Sequence, residues 1–146
     1  MAMTEETLVQ EVTAEYLLNQ LQWDKSVMGM HEKLGKEGDL GRISEKEIVL
    51  VRYLGEKLIE LNPNLPQAAY QEALRLVCEV PSSTNIVAVN KEKYLLHKNG
   101  VEVSFHNEKG ERVKKRLRLF DFDNYENNHF LLVRELWIKG DIYRRR

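Results

Sequence analysis

Hydrophobic residues in the first two thirds of the chain recur at the three- to four-residue spacing of amphipathic helices. The first stripe follows Thr4, a favourable N-cap residue, and two acidic residues that suit the positive end of a helix dipole. This stripe consists of Leu8, Val9, Val12, Tyr16, Leu17 and Leu21. The pattern predicts an N-terminal helix that closes at residues 22–24.

A glycine-rich stretch separates this helix from the next one. The segment "SVMGMHEKLGKEGDLGRI" (26–43) holds four of the eight glycines and predicts a long loop. "SEKE" (44–47) then matches a capping box, in which Ser44 and Glu47 each accept a hydrogen bond from the other's backbone N–H. It predicts a second helix whose inward residues are Ile48, Val51, Leu54, Leu58 and Leu61.

Two further helices are bounded by proline, asparagine and glycine. Pro66 suits the first turn of a third helix, and Pro81 bounds that helix at its far end. Its predicted buried side consists of Tyr70, Ala73, Leu74 and Val77. A fourth helix is predicted from about Asn85 to His97, because "NG" at 99–100 is a C-terminal stop signal.

The spacing changes to strict alternation directly after this stop. "VEVSFH" (101–106) alternates apolar and polar residues, which predicts a half-buried strand. "NEKG" (107–110) predicts a hairpin turn, and residues 112–122 predict the returning strand. Val113, Leu117 and Leu119 lie on one side of that strand, and Lys114, Arg116 and Arg118 lie on the other.

A third strand is predicted over "HFLLVRELWIKG" (129–140), which is apolar on both faces. Such a strand is typically central in its sheet and needs a neighbour on each side. The hairpin supplies one neighbour, and the other is expected after Arg146. The sequence therefore predicts an α+β fold, with N-terminal helices packed on a partial, mainly antiparallel sheet.

Composition narrows the class of protein without naming a function. The chain has 146 residues, enough for one domain with a core, and 22 Lys and Arg against 23 Asp and Glu give a net charge of -1. This balance excludes coating of nucleic acid by bulk charge but leaves room for a local basic patch. The single cysteine, Cys78, excludes an internal disulfide and fits a reducing cytoplasm. No apolar run reaches the roughly 20 residues of a membrane span.

Motifs for metals and nucleotides are absent from the sequence. The acidic "DFDNYENN" (121–128) fails the calcium-loop rule, because Glu126 and Leu132 occupy the positions where that rule requires glycine and glutamate. We interpret it as an Asx-type turn between strands. The four histidines and Cys78 show no zinc-ligand spacing. Neither of the glycine-rich motifs that bind phosphate, G-x-x-x-x-G-K-[ST] and G-x-G-x-x-G, occurs.

Basic residues form the main candidate for a binding surface. The candidates are Lys114, Lys115, Arg116, Arg118, Arg144, Arg145 and Arg146. They can contact phosphates, which would make binding salt-dependent, or they can form a solvated strand face. Glu11, on or near the apolar face of the first helix, is either a boundary carboxylate or a residue that faces a metal site.

Five segments together resemble the N-terminal region of the R subunit of type I restriction enzymes, which carries a nuclease and a DNA-translocating motor. They are "LLNQLQW" (17–23), "LGR" (40–42), "LNPNLP" (61–66), "NKEKYLLHKNGVEV" (90–103) and "DFDNYENNHFLLVRELWIKGDIYRRR" (121–146). The resemblance spans almost the whole chain, and the last segment is its most specific part. It implies that residues 1–146 are the N-terminal part of the R subunit's nuclease domain.

The resemblance also implies a continuation beyond Arg146 with Pro-Asp, a hairpin and Glu-x-Lys, the core of a PD-(D/E)xK nuclease. There the two carboxylates hold Mg²⁺, which activates water, and the lysine helps to position the nucleophile. We therefore expect the fragment by itself to be inactive. The implied parent is a cytoplasmic enzyme, dependent on ATP and Mg²⁺, that cleaves unmodified foreign DNA. Its implied partners are DNA and the modification (methyltransferase) and specificity subunits, with no membrane.

Little of the family's chemistry carries over by residue. Glu11 is the best candidate for an acidic residue that supports the metal site, and Arg144 and Arg145 match an arginine pair beside the catalytic strand. Tyr125 stands where proline is common, and Glu135 stands where glutamine is frequent. The alternative function is a non-catalytic DNA-binding or subunit-docking module. In that case we expect weak, salt-sensitive DNA binding that depends on Arg116 and Arg118.

Overall fold

The computed structural model describes residues 9–79, 85–140 and 143–145. They form two compact units, the first made of the chain up to Leu50 and from His129 onward, and the second made of Val51–Asn128. The mixture of helices and small sheets confirms the predicted α+β class. No helix in these described ranges is both long and apolar enough to cross a membrane.

The first unit begins with a helix, α1 (Glu11–Glu15), which continues as a π-helix over Tyr16–Gln20. The predicted cap at Thr4 lies outside the described residues. Only Ala14 of α1 is buried, whereas four residues of the predicted apolar stripe face outward and Leu17 is half-buried; Leu8 lies outside the described residues. Val9, Val12, Tyr16 and Leu21 are each more than half exposed.

Strand β1 (Lys25–Met28) pairs in parallel with β4 (Leu131–Arg134), in a register from Lys25 opposite Leu131 to Met28 opposite Arg134. Asp24 fixes the start of this pairing, because its N–H donates to the carbonyl of Phe130 and its carboxylate accepts from the N–H of Phe130 at 2.7 Å. The rings of Trp23 and Phe130 stack beside it with centroids 5.6 Å apart. The prediction that 26–43 is entirely loop was therefore wrong at its beginning.

The predicted third strand is broken into two. Glu135 takes a positive φ of 55°, which ends β4 before β5 (Trp137–Lys139) begins. Strand β5 pairs antiparallel with β6 (Tyr143–Arg145). Within the described ranges each of these strands has a single partner, and neither pairs with the hairpin. The prediction of one central strand beside the hairpin was wrong.

The second unit holds helices α2 (Val51–Leu61), α3 (Gln67–Cys78) and α4 (Ile86–Asn99). It also holds the antiparallel pair β2 (Val101–His106) and β3 (Arg112–Leu117). Its core joins α3 to the inner face of the hairpin. The fully or nearly fully buried residues are Leu58, Leu61, Ala69, Tyr70, Ala73, Val77, Val101, Val103, Phe105, Leu117 and Leu119.

Local signals placed most of these elements correctly. Asn85 caps α4 by accepting hydrogen bonds from the N–H groups of Val87 and Ala88, and Gly100 follows the last helical residue with a φ of 81°. The start predicted for α2 was wrong, because residues 44–47 form a turn and the helix begins at Val51. In that turn the Glu47 carboxylate accepts from the N–H of Ile43 at 3.2 Å instead of from Ser44.

Candidate nucleic-acid interface

Strand alternation brings a row of cations to the outer face of the hairpin. We call the exposed side chains of Lys114, Arg116 and Arg118 the basic face; Lys114 is 66% exposed and both arginines are 56% exposed. Glu102 lies opposite Arg116 in the register. Its carboxylate oxygens lie 3.6 Å from Lys114 Nζ and 3.7 Å from Arg116 Nη2. One exposed carboxylate thus serves two exposed cations, which leaves an excess of positive charge at this face.

The third cation, Arg118, lies just after β3, where the side chain of Asn62 bonds its backbone. Asn62 is the residue that follows α2. The side chain of Asn62 accepts from the N–H of Arg118 at 2.8 Å and donates to its carbonyl at 2.9 Å. The hydroxyl of buried Tyr70 also donates a hydrogen bond to the backbone carbonyl of Asn62 at 2.6 Å. The "LNPNLP" segment therefore fixes the position of one end of the basic face.

An Asx turn follows Arg118, as the sequence predicted. Asp121 is only 4% exposed, and its Oδ1 accepts from the N–H groups of Asp123 and Asn124 at 3.1 and 3.0 Å. Its Oδ2 accepts from the side chain of Asn127 at 2.9 Å and lies 3.8 Å from Arg118 Nη1. The Asn127 hydrogen bond, then those from the backbone, hold the pKa of Asp121 below its usual range.

The remaining predicted cations lie elsewhere. Lys115 is exposed on the opposite face of β3 and lines a cleft of about 880 Å³ with Pro66 and Phe105. Arg144 and Arg145 belong to β6 of the first unit, where they pair through the backbone with Ile138 and Trp137. Arg146 lies outside the described residues. The structure thus brings together Lys114, Arg116 and Arg118 only.

Glu11 is the first residue of α1 and is exposed. Its neighbour Gln10 makes the contact to the broken strand, since the Gln10 side-chain amide donates to Glu135 Oε1 at 2.6 Å. The Glu135 carboxylate therefore accepts a hydrogen bond from the side chain of the residue that precedes α1. Within the described residues no three His, Cys, Asp or Glu side chains converge on a point that a metal ion can occupy.

Sequence reasoning missed a buried ion pair in the first unit. Arg42 and Glu32 have side chains that are 1% and 4% exposed and form a forked salt bridge. Arg42 also donates through Nη1 to the Glu47 carbonyl and through Nη2 to the Trp137 carbonyl, each at 3.0 Å. The planar guanidinium is suited to such simultaneous bonds. The "LGR" segment was the available signal, and its arginine ties the loop to β5.

The chain matches a known protein family over nearly its whole length. The family described as "Type I restriction enzyme R protein N terminus" matches residues 2–146. This chain belongs to that family. It is 30% identical over 118 residues to the "Type I restriction enzyme HindI endonuclease subunit" of Haemophilus influenzae. The match covers 77% of this chain and 11% of that relative, so the chain spans a small part of its length. No solved structure shows a significant match.

The segments that carry the resemblance to the R protein N-terminal family make structural contacts in this chain. "LNPNLP" holds the end of β3 through Asn62, and "LGR" supplies Arg42. In "DFDNYENN" the two final asparagines hold the turn: Asn127 binds the Asp121 carboxylate, and Asn128 bonds both backbone groups of Asp121 at 2.9 and 2.8 Å. Tyr125, the departure from proline, is exposed and leaves this bonding intact.

Proposed function

We propose that this R-protein segment contacts duplex DNA through the basic face of the β2–β3 hairpin. The observation that supports the proposal is the row of Lys114, Arg116 and Arg118, three exposed cations that lie near two carboxylates, exposed Glu102 and buried Asp121. Neutralised phosphates release counterions, so a few such contacts give real affinity despite the chain's net charge of -1. Contacts of this kind position a duplex and carry no sequence information.

In the whole protein, this segment would serve a cytoplasmic restriction endonuclease that cleaves unmodified foreign DNA during ATP-dependent translocation. Mg²⁺ would be held by the Asp and Glu of a PD-(D/E)xK motif, with Glu11 as an accessory acidic residue and Arg144 and Arg145 beside the catalytic strand. The modification and specificity subunits would complete the complex and choose the site. Membership of the family supports this reading.

Salt-dependent binding tests the DNA contact. The 146-residue chain is titrated against a fluorescently labelled duplex at several salt concentrations, alongside the double variant Arg116→Ala/Arg118→Ala. Loss of two phosphate contacts should weaken binding and lower the slope of log affinity against log salt by about 2.

The matched control removes the same charge at another place in the second unit. Lys57→Ala/Arg75→Ala eliminates two helix cations that already pair with Glu60, Glu72 and Glu79. It should leave the slope unchanged. Equal slopes for the two double variants would refute the basic face. Incubation with plasmid and Mg²⁺ tests the catalytic part: the chain alone should not cut, and cleavage by pure chain would show that its own residues suffice.

A second candidate function is docking of a partner subunit, and α1 favours it. Val12 lies in α1, Val9 precedes it, and Tyr16 begins the π-helix that continues it. At positions i, i+3 and i+7 these three side chains share one helix face, which we call the apolar face of α1, and they are 57%, 58% and 55% exposed in chain order. An apolar helix face that is left in water is typical of a surface that a partner covers. We assign it to the complex of modification and specificity subunits.

A further inference from the structure

The second unit carries an open cleft that the basic face does not use. It encloses about 610 Å³ between the end of α4 and the turn after β3, and it is lined by Tyr94, His97, Lys98, Asn99, Phe120 and Phe122. The His97 and Phe120 rings meet edge to face at 5.8 Å, and Phe120 and Phe122 lie 6.1 Å apart. Several aromatic rings thus line one open cleft.

These rings are turned toward solvent against their hydrophobic preference. Phe122 is 71% exposed and Phe120 is 43% exposed, whereas Asp121 between them is only 4% exposed. The Asx turn explains the inversion, because it draws the Asp121 carboxylate inward to accept three hydrogen bonds. The chain thus buries a charge and displays two phenylalanines, and local rules are broken in this way mainly at functional sites.

Beside its rings the cleft is lined by one lysine and one asparagine, which suit a ligand that carries negative charge and polar edges. Lys98 Nζ stands 6.0 Å from the centre of the Tyr94 ring, which is 60% exposed, and Asn99 adds an amide that can bond a base edge. No carboxylate lines the cleft in the part of the chain that the structure describes. Aromatic platforms beside cations are the means by which proteins hold unpaired nucleic-acid strands, because every base offers a π-face.

We propose that this cleft stacks unpaired bases of a DNA strand, next to the duplex held on the basic face. The two surfaces are continuous along the chain, since Arg118 of the basic face precedes Phe120 by two residues. The inference rests on the proposed function for its ligand class and extends it from duplex to single-stranded DNA. Binding through ring faces should tolerate any base sequence.

A strand that carries one 2-aminopurine among thymines tests the cleft directly. Stacking quenches 2-aminopurine fluorescence, so addition of the 146-residue chain should quench it, and an abasic strand of equal length should bind far more weakly. Phe122→Ala should weaken binding of the single strand by roughly tenfold, and Phe122→Trp should restore it. Tyr94→Ala provides a second variant from α4 with the same expected loss.

Tyr125→Ala is the matched control, because Tyr125 is an aromatic residue of the same turn that is 68% exposed and lies outside the cleft. Its thermal unfolding and its binding should equal those of the parent chain. Equal affinity for abasic and base-containing strands, or equal loss in Tyr125→Ala and Phe122→Ala, would overturn the cleft. Duplex binding without any single-strand binding overturns it too and leaves the proposed function standing. Base-dependent binding without duplex binding supports the cleft and removes the basic face.

Discussion

Asp121 shows how one residue shapes two surfaces. Its buried carboxylate accepts hydrogen bonds from Asp123, Asn124 and Asn127, which close the turn after β3. In the same turn Arg118 lies 3.8 Å from that carboxylate, and Phe120 and Phe122 remain exposed. A carboxylate that accepts several bonds and lies near an arginine strongly favours its ionised form.

The pKa of Asp121, lowered chiefly by the Asn127 amide, makes the stability of this turn depend on pH. The unfolded carboxyl titrates at about 3.9, so the stabilisation is fully present above about pH 4 and is lost as the pH falls through the lower folded pKa. Asp121→Asn also turns an amide donor toward Asn127. We expect a lower free energy of unfolding for this variant at pH 7 and a difference that shrinks in acid, measured by urea unfolding.

Asp123→Asn serves as the control for that experiment, since it removes an exposed carboxylate from the same turn. If both variants showed the same dependence on pH, the effect would not belong to the buried carboxylate.

At the scale of elements, the sequence predicted a helix or strand correctly where residues within that segment determine its conformation. The cap at Asn85, the stop at Gly100 and the alternation of β2 all act within a few residues, and each predicted element is present. The basic face was predictable for the same reason, because alternation alone puts Lys114 and Arg116 on one side of β3.

Predictions from the sequence were wrong where the conformation of a segment depends on contacts with a distant part of the chain. Strand β1 lies in a glycine-rich stretch and exists through pairing with β4, whose first contact joins Asp24 to Phe130, 106 positions away. The break at Glu135 falls in a run that is apolar on both faces, so no periodicity marks it. The aromatic cleft was also missed, because α4 and the turn after β3 meet only in the folded chain.

The junction between α4 and β2 gives a test at this scale. Gly100 combines a φ of 81° with a ψ of 174°, and an added Cβ would lie 2.4 Å from the carbonyl oxygen of Leu117 on the paired strand. Gly100→Ala should therefore destabilise the chain by about 3 kcal/mol or more, since strain and a backbone clash add. Denaturant unfolding followed by circular dichroism measures the loss.

Gly110→Ala separates the two causes in that experiment. Gly110 has a similar φ of 76°, but an added Cβ meets nothing within 4 Å. This variant should cost only about 1 to 2 kcal/mol, the penalty of the left-handed conformation for a residue with a side chain. Equal costs at Gly100 and Gly110 would mean that the contact with Leu117 contributes nothing.

At the scale of the whole molecule, the near-zero net charge says nothing about local surfaces, and the candidate binding surfaces differ in chemistry. The chain carries 22 basic and 23 acidic residues, so any attraction to DNA must come from a local surface and not from the total charge. The basic face and the aromatic cleft both belong to the second unit, whereas the exposed apolar face of α1 belongs to the first. Surfaces of such different chemistry suit different ligands, and a variant in one should leave the other's binding unchanged.

Docking through α1 is the prediction that belongs to this scale. Val12→Ser/Tyr16→Ser removes apolar area from the exposed helix face without adding charge, so it should weaken binding of the 146-residue chain to an immobilised complex of modification and specificity subunits by at least about tenfold. Ile43→Ser is the matched control, because Ile43 is 63% exposed in the same unit and lies outside α1. DNA binding should be the same in both variants. Unchanged subunit affinity in the double variant would exclude this face, and self-association of the parent chain that the double variant abolishes would instead assign it to a second copy.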